Sequence, residues 1–174
     1  MNNNASILFG NFDDFLWIRC SGRASFANSP VVNSLASAYI DNGGRIIVID
    51  LETCAGIDST FMGTLVGLAR RVMPHNGAVQ ITSASERCLN ALESLGLDAI
   101  LAIEPPSAPW RGKIAQIRAK LSSEGTPDVQ LTSHEQTLHV LNSHLTLSEI
   151  SEENAEKFRN VTDILKEELE RDKN

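Results

Sequence analysis

The pattern of apolar residues along the chain has one dominant feature. Residues 46–49 read Ile-Ile-Val-Ile, a run that is too short for a helix and rich in β-branched side chains. Such a run is typical of a strand buried on both faces of a sheet. It ends at Asp50, and a short loop over residues 54–56 is expected next. Apolar residues then recur at steps of three and four, which predicts a helix whose buried face carries Met62, Leu65, Ala69 and Val72.

The polar tripeptide Asp58-Ser59-Thr60 lies where this strand gives way to the helix. Asp, Ser and Thr are frequent helix caps, so an ordinary structural role is the first interpretation. The unpaired N–H groups of a helix N-terminus and the helix dipole favour negative charge at that end. The fold would therefore tolerate a phosphate on Ser59.

The rest of the first 106 residues continues as strands and helices. Apolar runs over residues 6–12 and 15–20 predict a β-hairpin, and Ser29-Pro30 predicts a helix that ends near residues 41–44. The further elements are a strand over 78–82, a helix over 83–97 with Leu89, Leu92 and Leu95 inward, and a short strand over 99–103. The predicted fold is therefore α/β in the order ββαβαβαβ. Its strand–helix–strand units imply parallel pairing with right-handed crossovers, and the first hairpin makes the sheet mixed.

Beyond residue 106 the pattern changes to helices alone. Residues 110–121 predict a basic helix with Ile114, Ile117 and Leu121 on one side, and residues 122–127 predict a linker. Two capping boxes, Thr132 with Glu135 and Thr146 with Glu149, predict an αα-hairpin over residues 131–172. Its apolar stripes are Leu138, Leu141 and Leu145 in the first helix and Phe158, Val161, Leu165 and Leu169 in the second. Packing on the preceding domain, self-association as a homodimer and binding of another protein are all open fates for these stripes. The predicted division is a domain over 1–106, a helix and linker over 107–130, and a hairpin extension over 131–174.

Composition and charge narrow the class of protein. Apolar residues make up 42% of the 174 residues, which is enough for one ordinary core. The formal charge of −7 argues against nucleic acid and anionic membrane as main partners. Residues 1–4 do not predict a signal peptide, and no apolar run is long enough to cross a bilayer. Cys20, Cys54 and Cys88 form no CxxC pair, which predicts reduced thiols in a cytoplasmic protein.

Residues suited to catalysis or metal binding are sparse. His134, His139 and His144 are five residues apart, a step that turns a helix by about 140°, so they do not share a face and no metal site is expected. The sequence has no Gly-rich phosphate loop or Cys/His ligand pair, and no cofactor is expected. Ser59 has no His at a helpful local spacing, although a His distant in sequence would serve as a base if the fold brought it close. The chain is therefore not expected to be an enzyme.

Residues 50–63 resemble the STAS domain of anti-sigma factor antagonists. In that family a buried strand ends near an Asp, and a D-S-[ST]-G-like signature opens the next helix. Here the signature is Asp58-Ser59-Thr60, with Phe61 where the family usually has Gly and with Gly63 at the second small position. The resemblance covers roughly residues 5–104 and implies a mixed sheet with helices mainly on one face. It implies phosphorylation of Ser59, with Thr60 as the alternative. The partner-binding residues it implies are Gly22, Arg23, Asp58, Ser59, Thr60, Phe61, Met62 and Gly63.

The same resemblance implies a function and its partners. The unphosphorylated chain would bind an anti-sigma factor that is also a serine kinase of the histidine-kinase-like ATPase type. Phosphorylation of Ser59 would end that complex, and a PP2C-type phosphatase would reset it. The alternative is a STAS scaffold subunit of a larger signalling complex, in which the C-terminal helices mediate assembly. A small-ligand sensor is a third hypothesis, for which the sequence offers no specific pocket residues.

Overall fold

The computed structural model describes residues 5–174, so the prediction made for residues 1–4 lies outside it. The strands of the described part are Ser6–Asn11 (β1), Leu16–Ala24 (β2), Ile46–Asp50 (β3), Cys54–Ile57 (β4), Ala78–Thr82 (β5) and Ala102–Ile103 (β6). Its α-helices are Ser29–Asp41 (α1), Ser59–Val72 (α2), Glu86–Ser94 (α3), Ile114–Arg118 (α4), Ser133–Ser148 (α5) and Glu152–Arg171 (α6). Among these residues no helix combines the length and the apolar character that crossing a bilayer requires.

The strands form one mixed sheet, as the sequence predicts. β1 and β2 are antiparallel, whereas β2, β3, β5 and β6 lie side by side in parallel. β4, which the sequence pattern suggests is a loop, pairs in parallel with the far end of β2. This pairing includes a register shift between Gly22 and Arg23, and Gly22 takes a positive φ of 73° that glycine adopts without strain. β4 then leads directly into the N-terminus of α2.

Strand β3 is buried on both faces, which confirms the interpretation of its apolar run. Ile47 and Ile49 belong to the larger core cluster, to which α1, α2 and α3 all contribute. Val48 belongs to a second, smaller cluster on the opposite face. Helices α1 to α3 therefore cover one face of the sheet, and the periodic residues of α2 supply much of its core.

The segment after the last strand covers the opposite face. Trp110 and Ile117 join Trp17 in the smaller cluster, and the two indole rings meet edge to face with centroids 5.6 Å apart. Trp110 Nε1 donates a 2.7 Å hydrogen bond to Gln80 Oε1 in β5. The buried indole thereby satisfies its single donor, and the segment after residue 106 contributes to the core.

Three predicted elements are shorter in the structure. The helix predicted over 83–97 is shortened to α3. It begins only after residue 85, because Ser83 has a positive φ of 58° and the Ser85 hydroxyl caps the helix. Its buried residues are Cys88 and Leu92, whereas Leu89 is only half-buried. The last strand is reduced to the two residues of β6 after a 3-10 turn. The helix predicted over 110–121 is reduced to the five residues of α4.

The predicted αα-hairpin is formed by α5 and α6. Its first capping box is confirmed: Thr132 Oγ1 accepts from Glu135 N–H at 3.1 Å, and the Glu135 carboxylate accepts from Thr132 N–H at 2.8 Å. The second box is wrong, because Thr146 and Glu149 belong to the last turn and the end of α5. The N-cap of α6 is instead Ser151.

The hairpin packs on the preceding domain, which is the first of the fates left open for its apolar stripes. Leu147 and Phe158 belong to the larger core cluster. Asn154 is almost fully buried, and its side-chain amide donates to Leu95 O at 3.0 Å and to Leu147 O at 3.1 Å. Leu138, by contrast, stays exposed. The turn end of the hairpin is therefore anchored to the chain's own core.

Candidate functional site

Asp58 fixes the start of α2. One of its carboxylate oxygens caps the helix by accepting from Phe61 N–H at 2.8 Å, and the other accepts from Phe26 N–H at 2.8 Å. Its own N–H donates to Ala24 O at the end of β2. This carboxylate therefore holds together the loop after β2 and the helix N-terminus, and it makes Ser59 the first residue of α2.

The hydroxyl of Ser59 is hydrogen-bonded to a histidine of the C-terminal hairpin. Ser59 Oγ lies 2.9 Å from His144 Nε2, and His144 Nδ1 lies 2.8 Å from Val140 O. A carbonyl oxygen only accepts, so Nδ1 carries a hydrogen, and in the tautomer protonated on Nδ1 alone Nε2 accepts the Ser59 proton. The imidazole also packs edge to face against Phe158, with centroids 5.2 Å apart. Its orientation is therefore fixed from both sides.

The sequence analysis did not assign His144 to this site. The two residues are 85 positions apart, so no local spacing links them. The sequence left one possibility open, namely that a His distant in the chain would lie close enough to Ser59 to act as a base. Here α5 supplies that His, but it does so by lying over the hydroxyl instead of leaving it open to a substrate.

Helix α5 lies directly against α2 next to this contact. A Cβ added at Gly63 would come within 2.3 Å of Ser143 O, a backbone atom of α5. One turn further on, nothing lies within 4 Å of the equivalent position at Gly67. Thr64 Oγ1 also lies 3.4 Å from Ser143 Oγ. The absence of a side chain at Gly63 is therefore what allows the two helix backbones to approach so closely.

The predicted partner-binding residues differ widely in exposure. Thr60, Phe61, Met62 and Gly63 are buried, whereas Asp58, Ser59 and Gly22 are half-buried and Arg23 is exposed. Phe61 has no exposed surface and belongs to the larger core cluster. Its presence where the family usually has Gly therefore serves the packing of the fold. With the hairpin docked, the open part of the predicted partner surface is therefore limited to Gly22, Arg23, Asp58 and Ser59.

The histidines of α5 face different partners. His139 Nε2 lies 2.8 Å from Ser29 Oγ on α1, and His134 lies near the end of α6. Burial lowers the pKa of His139, and the carboxylate of Asp58 acts in the opposite direction. Within residues 5–174, no three His, Cys, Asp or Glu side chains form a cluster suited to a metal ion. Together with His144, His139 joins α5 to the STAS-like core.

The three cysteines are buried and unpaired in the described structure. Burial raises the pKa of the Cys20 thiol and, as the largest of several causes, that of Cys54. A buried thiol with a raised pKa is a poor nucleophile. Cys20 and Cys54 are therefore poor nucleophiles, and all three cysteines belong to the larger core cluster.

The chain is an α/β domain in which α1 to α3 cover one face of a mixed sheet. The hydroxyl of Ser59 lies at the start of α2, next to the N-cap Asp58. The chain belongs to the STAS domain family: the sequence profile of the STAS domain matches residues 10–108, more than half of the chain. The resemblance noted in the sequence is thereby confirmed for the fold and the family.

Solved structures with this fold include anti-sigma factor antagonists. One is SpoIIAA in its unphosphorylated form, with a TM-score of 0.53, 16% identity, and coverage of 66% of this chain and 97% of that one. A second is the Bacillus cell fate determinant SpoIIAA in the phosphorylated form, with a TM-score of 0.51, 16% identity, and coverage of 66% of this chain and 100% of that one. A third is an anti-sigma factor antagonist from Mycobacterium paratuberculosis, with a TM-score of 0.53, 16% identity, and coverage of 68% of this chain and 97% of that one. A comparison with curated protein sequences finds no significant match.

Proposed function

We propose that the chain is an anti-sigma factor antagonist whose binding to a partner is switched by phosphorylation of Ser59. The partner is an anti-sigma factor that is also a serine kinase of the histidine-kinase-like ATPase type. It binds the unphosphorylated chain, transfers a phosphoryl group to Ser59 and is then released. A PP2C-type phosphatase restores the hydroxyl. In this cycle the chain is a binding module and not a catalyst.

The observation that carries the proposal is the position of Ser59 at the start of α2, within the segment that matches the STAS family. The unpaired N–H groups and the dipole of a helix N-terminus favour negative charge there, so a phosphate is compatible with the fold. Burial supports Ser59 over Thr60 as the acceptor, because the Thr60 residue is only 4% exposed whereas Ser59 is half-buried.

The relative sizes of two electrostatic effects explain how such a phosphate would release a partner. A phosphate adds about −1.5 to −2 charges at neutral pH, and a helix N-terminus stabilises it by about 0.3–1 kcal/mol. An uncompensated charge inside a packed interface costs roughly 3–5 kcal/mol. The interface effect is larger, and a cost near 3 kcal/mol weakens binding about a hundredfold. Asp58 adds a like charge beside the phosphate and increases that cost.

The alternative is a scaffold subunit that assembles through its C-terminal helices. Docking of the hairpin on the chain's own core weakens this alternative, because Leu147 and Phe158 are already buried within the chain. Affinity capture discriminates between the two: a histidine-kinase-like ATPase as the partner supports the antagonist, and copies of this chain or other scaffold subunits alone support the scaffold.

The proposal predicts that Ser59 is the phosphorylated residue. After incubation with ATP and candidate histidine-kinase-like ATPases, phosphopeptide mass spectrometry should find phosphate on Ser59 and none in Ser59→Ala. Thr60→Val is the matched control, because it keeps the buried shape of the neighbouring side chain while removing its hydroxyl, and it should still be phosphorylated. Ser59→Ala should retain partner binding, whereas Ser59→Asp should fold normally and bind about a hundredfold more weakly. Phosphate found only on Thr60 would overturn the assignment.

A further inference from the structure

Several polar contacts join the C-terminal hairpin to the surface around Ser59. Three pairs join α5 to α1 and to the first two turns of α2, namely Ser29–His139, Ser59–His144 and Thr64–Ser143, and Arg70 of α2 pairs with Glu149 at the end of α5. We propose that the α5–α6 hairpin is an autoinhibitory cover: in the unphosphorylated chain it competes with a protein partner for the same α2 surface, and a phosphate on Ser59 expels the hairpin from that surface as it expels the partner. That the covered surface binds a partner rests on the proposed function. That a phosphate on Ser59 opens the cover does not depend on it.

The docked hairpin and a protein partner exclude each other on steric grounds. The backbone of α5 at Ser143 lies so close to Gly63 that even a methyl group would not fit between them. Gly63 and Thr64 are both buried beside it. A partner that contacts the first two turns of α2 therefore requires α5 to leave, and the affinity of that partner is reduced by the fraction of molecules in which the hairpin is closed.

A phosphate on Ser59 is incompatible with the closed hairpin. The phosphate ester replaces the hydroxyl proton that His144 Nε2 accepts, and Oγ and Nε2 are already at hydrogen-bond distance, 2.9 Å. A phosphorus atom with three oxygens on Oγ therefore forces the imidazole away. That ring is tied to α5 by its Nδ1 bond to Val140 O and is packed on Phe158, so the whole helix has to move with it.

The composition of the covered surface suits reversible docking. The buried α5 side chains that hydrogen-bond with the start of α2 are polar: His144 pairs with Ser59, and Ser143 pairs with Thr64. Polar-rich contacts between parts of one chain resemble transient interfaces, for which relative motion is the normal behaviour. The anchor at Asn154 lies at the turn end, so α5 opens about that end, and the opening has to include Ser143 and His144, which lie over α2.

A matched pair of glycine substitutions tests the cover without any partner. Gly63→Ala places a Cβ against Ser143 O, whereas Gly67→Ala adds the same methyl group one turn along α2, where nothing lies within 4 Å. By hydrogen–deuterium exchange on the full chain, amides of α5 should exchange about tenfold faster or more in Gly63→Ala and at the wild-type rate in Gly67→Ala. Exchange in β3 and β5 should be unchanged in both. Equal α5 protection in the two variants overturns the cover.

Phosphoserine installed at defined positions by genetic code expansion tests the switch. Phosphoserine at position 59 should raise the exchange rate of α5 by about tenfold or more. Phosphoserine at position 133, an exposed site at the start of the same helix, should leave it unchanged. If α5 stays protected with phosphate at 59, for example because His144 turns to pair with it, the proposal is wrong. It is also wrong if protection is lost equally in β3 and β5, because the phosphate then unfolds the domain.

These outcomes separate the cover from the proposed function. If no kinase phosphorylates Ser59 but phosphoserine at 59 still releases α5, the antagonist proposal fails and the cover stands. If Ser59 is phosphorylated but α5 stays protected in both the phosphoserine 59 and Gly63→Ala proteins, the antagonist proposal stands and the cover fails.

Discussion

Asp50 is a fully buried carboxylate at the end of the central strand. Its oxygens accept from Trp17 Nε1 at 3.2 Å and from Arg118 Nε and Nη2 at 2.8 and 3.0 Å. Arg19 and Glu52 extend the contact into a network that reaches the surface. A buried charge is tolerated only when it is paired and hydrogen-bonded, and the pairing here depends on the short helix α4. The sequence shows the Asp, but it does not show its arginine partner 68 positions away.

Removing that partner should destabilise the fold strongly. Arg118→Met leaves the Asp50 carboxylate buried with fewer donors, and the free energy of unfolding should fall by about 3 kcal/mol, the low end of the usual range because Trp17 still donates. Arg71→Met removes a surface pair with Asp41 instead and should cost about 0–1 kcal/mol. Urea denaturation of both variants measures the difference. Equal losses would show that Asp50 does not depend on Arg118.

Single elements were predicted well where one local pattern decided them. β3 and α2 follow from an apolar run and a three–four periodicity, and β5 begins and ends where its sequence predicts. β4 was missed because its four residues, Cys-Ala-Gly-Ile, carry almost no strand signal. Its strand geometry comes from pairing with the far end of β2, beyond the irregularity at Gly22. A contact between distant segments, and not the local sequence, therefore makes this strand.

The start of α6 offers a second lesson about local patterns. Thr146 with Glu149 matches a capping box, yet α5 continues through Thr146, and the Ser151 hydroxyl accepts from Asn154 N–H at 3.1 Å. The motif alone could not decide which residue caps α6, because each of Thr146 and Ser151 has a polar residue three positions later. The buried Leu147 favours continuation, since it keeps this turn of α5 in contact with the core.

Two alanine substitutions distinguish the observed cap from the one that the sequence suggested. Ser151→Ala should lower the free energy of unfolding by about 1 kcal/mol, because it removes the acceptor for the first turn of α6. Thr146→Ala should change it by less than about 0.5 kcal/mol, because its hydroxyl only donates within α5 and Ala is a better helix former. Chemical denaturation provides the measurement. A larger loss for Thr146→Ala would contradict the observed boundary.

At the scale of the whole molecule, the sequence predicted the α/β domain and the hairpin but not how they meet. The apolar stripes after residue 131 show that a face must be buried, yet amphipathicity contains no information about which surface covers it. The docking depends on pairs such as Ser59–His144 and on the bare backbone at Gly63. No local pattern in either segment indicates these contacts. The sequence therefore predicted that Ser59 lies at the start of α2 but not that α5 packs over it.

Truncation tests how far the hairpin supports the fold. Removing residues 131–174 takes Leu147 and Phe158 out of the core and uncovers α2 at Gly63. Burial of two large apolar side chains contributes several kcal/mol, so Tm should fall by about 10 °C. The exposed face should also promote association, which light scattering detects. Removal of residues 172–174 alone, which are exposed, is the control. An unchanged Tm together with an unchanged size would contradict the packing described above.

The edge-to-face contact of Trp17 with Trp110 has a practical consequence for spectroscopy. These are the chain's two tryptophans, and both are buried on the side of the sheet away from α1 to α3. Intrinsic fluorescence therefore reports the integrity of the sheet and of the segment that covers its other side. The emission spectrum should not change when α5 moves away from Ser59. It therefore shows, for each variant, whether the α/β domain is still folded.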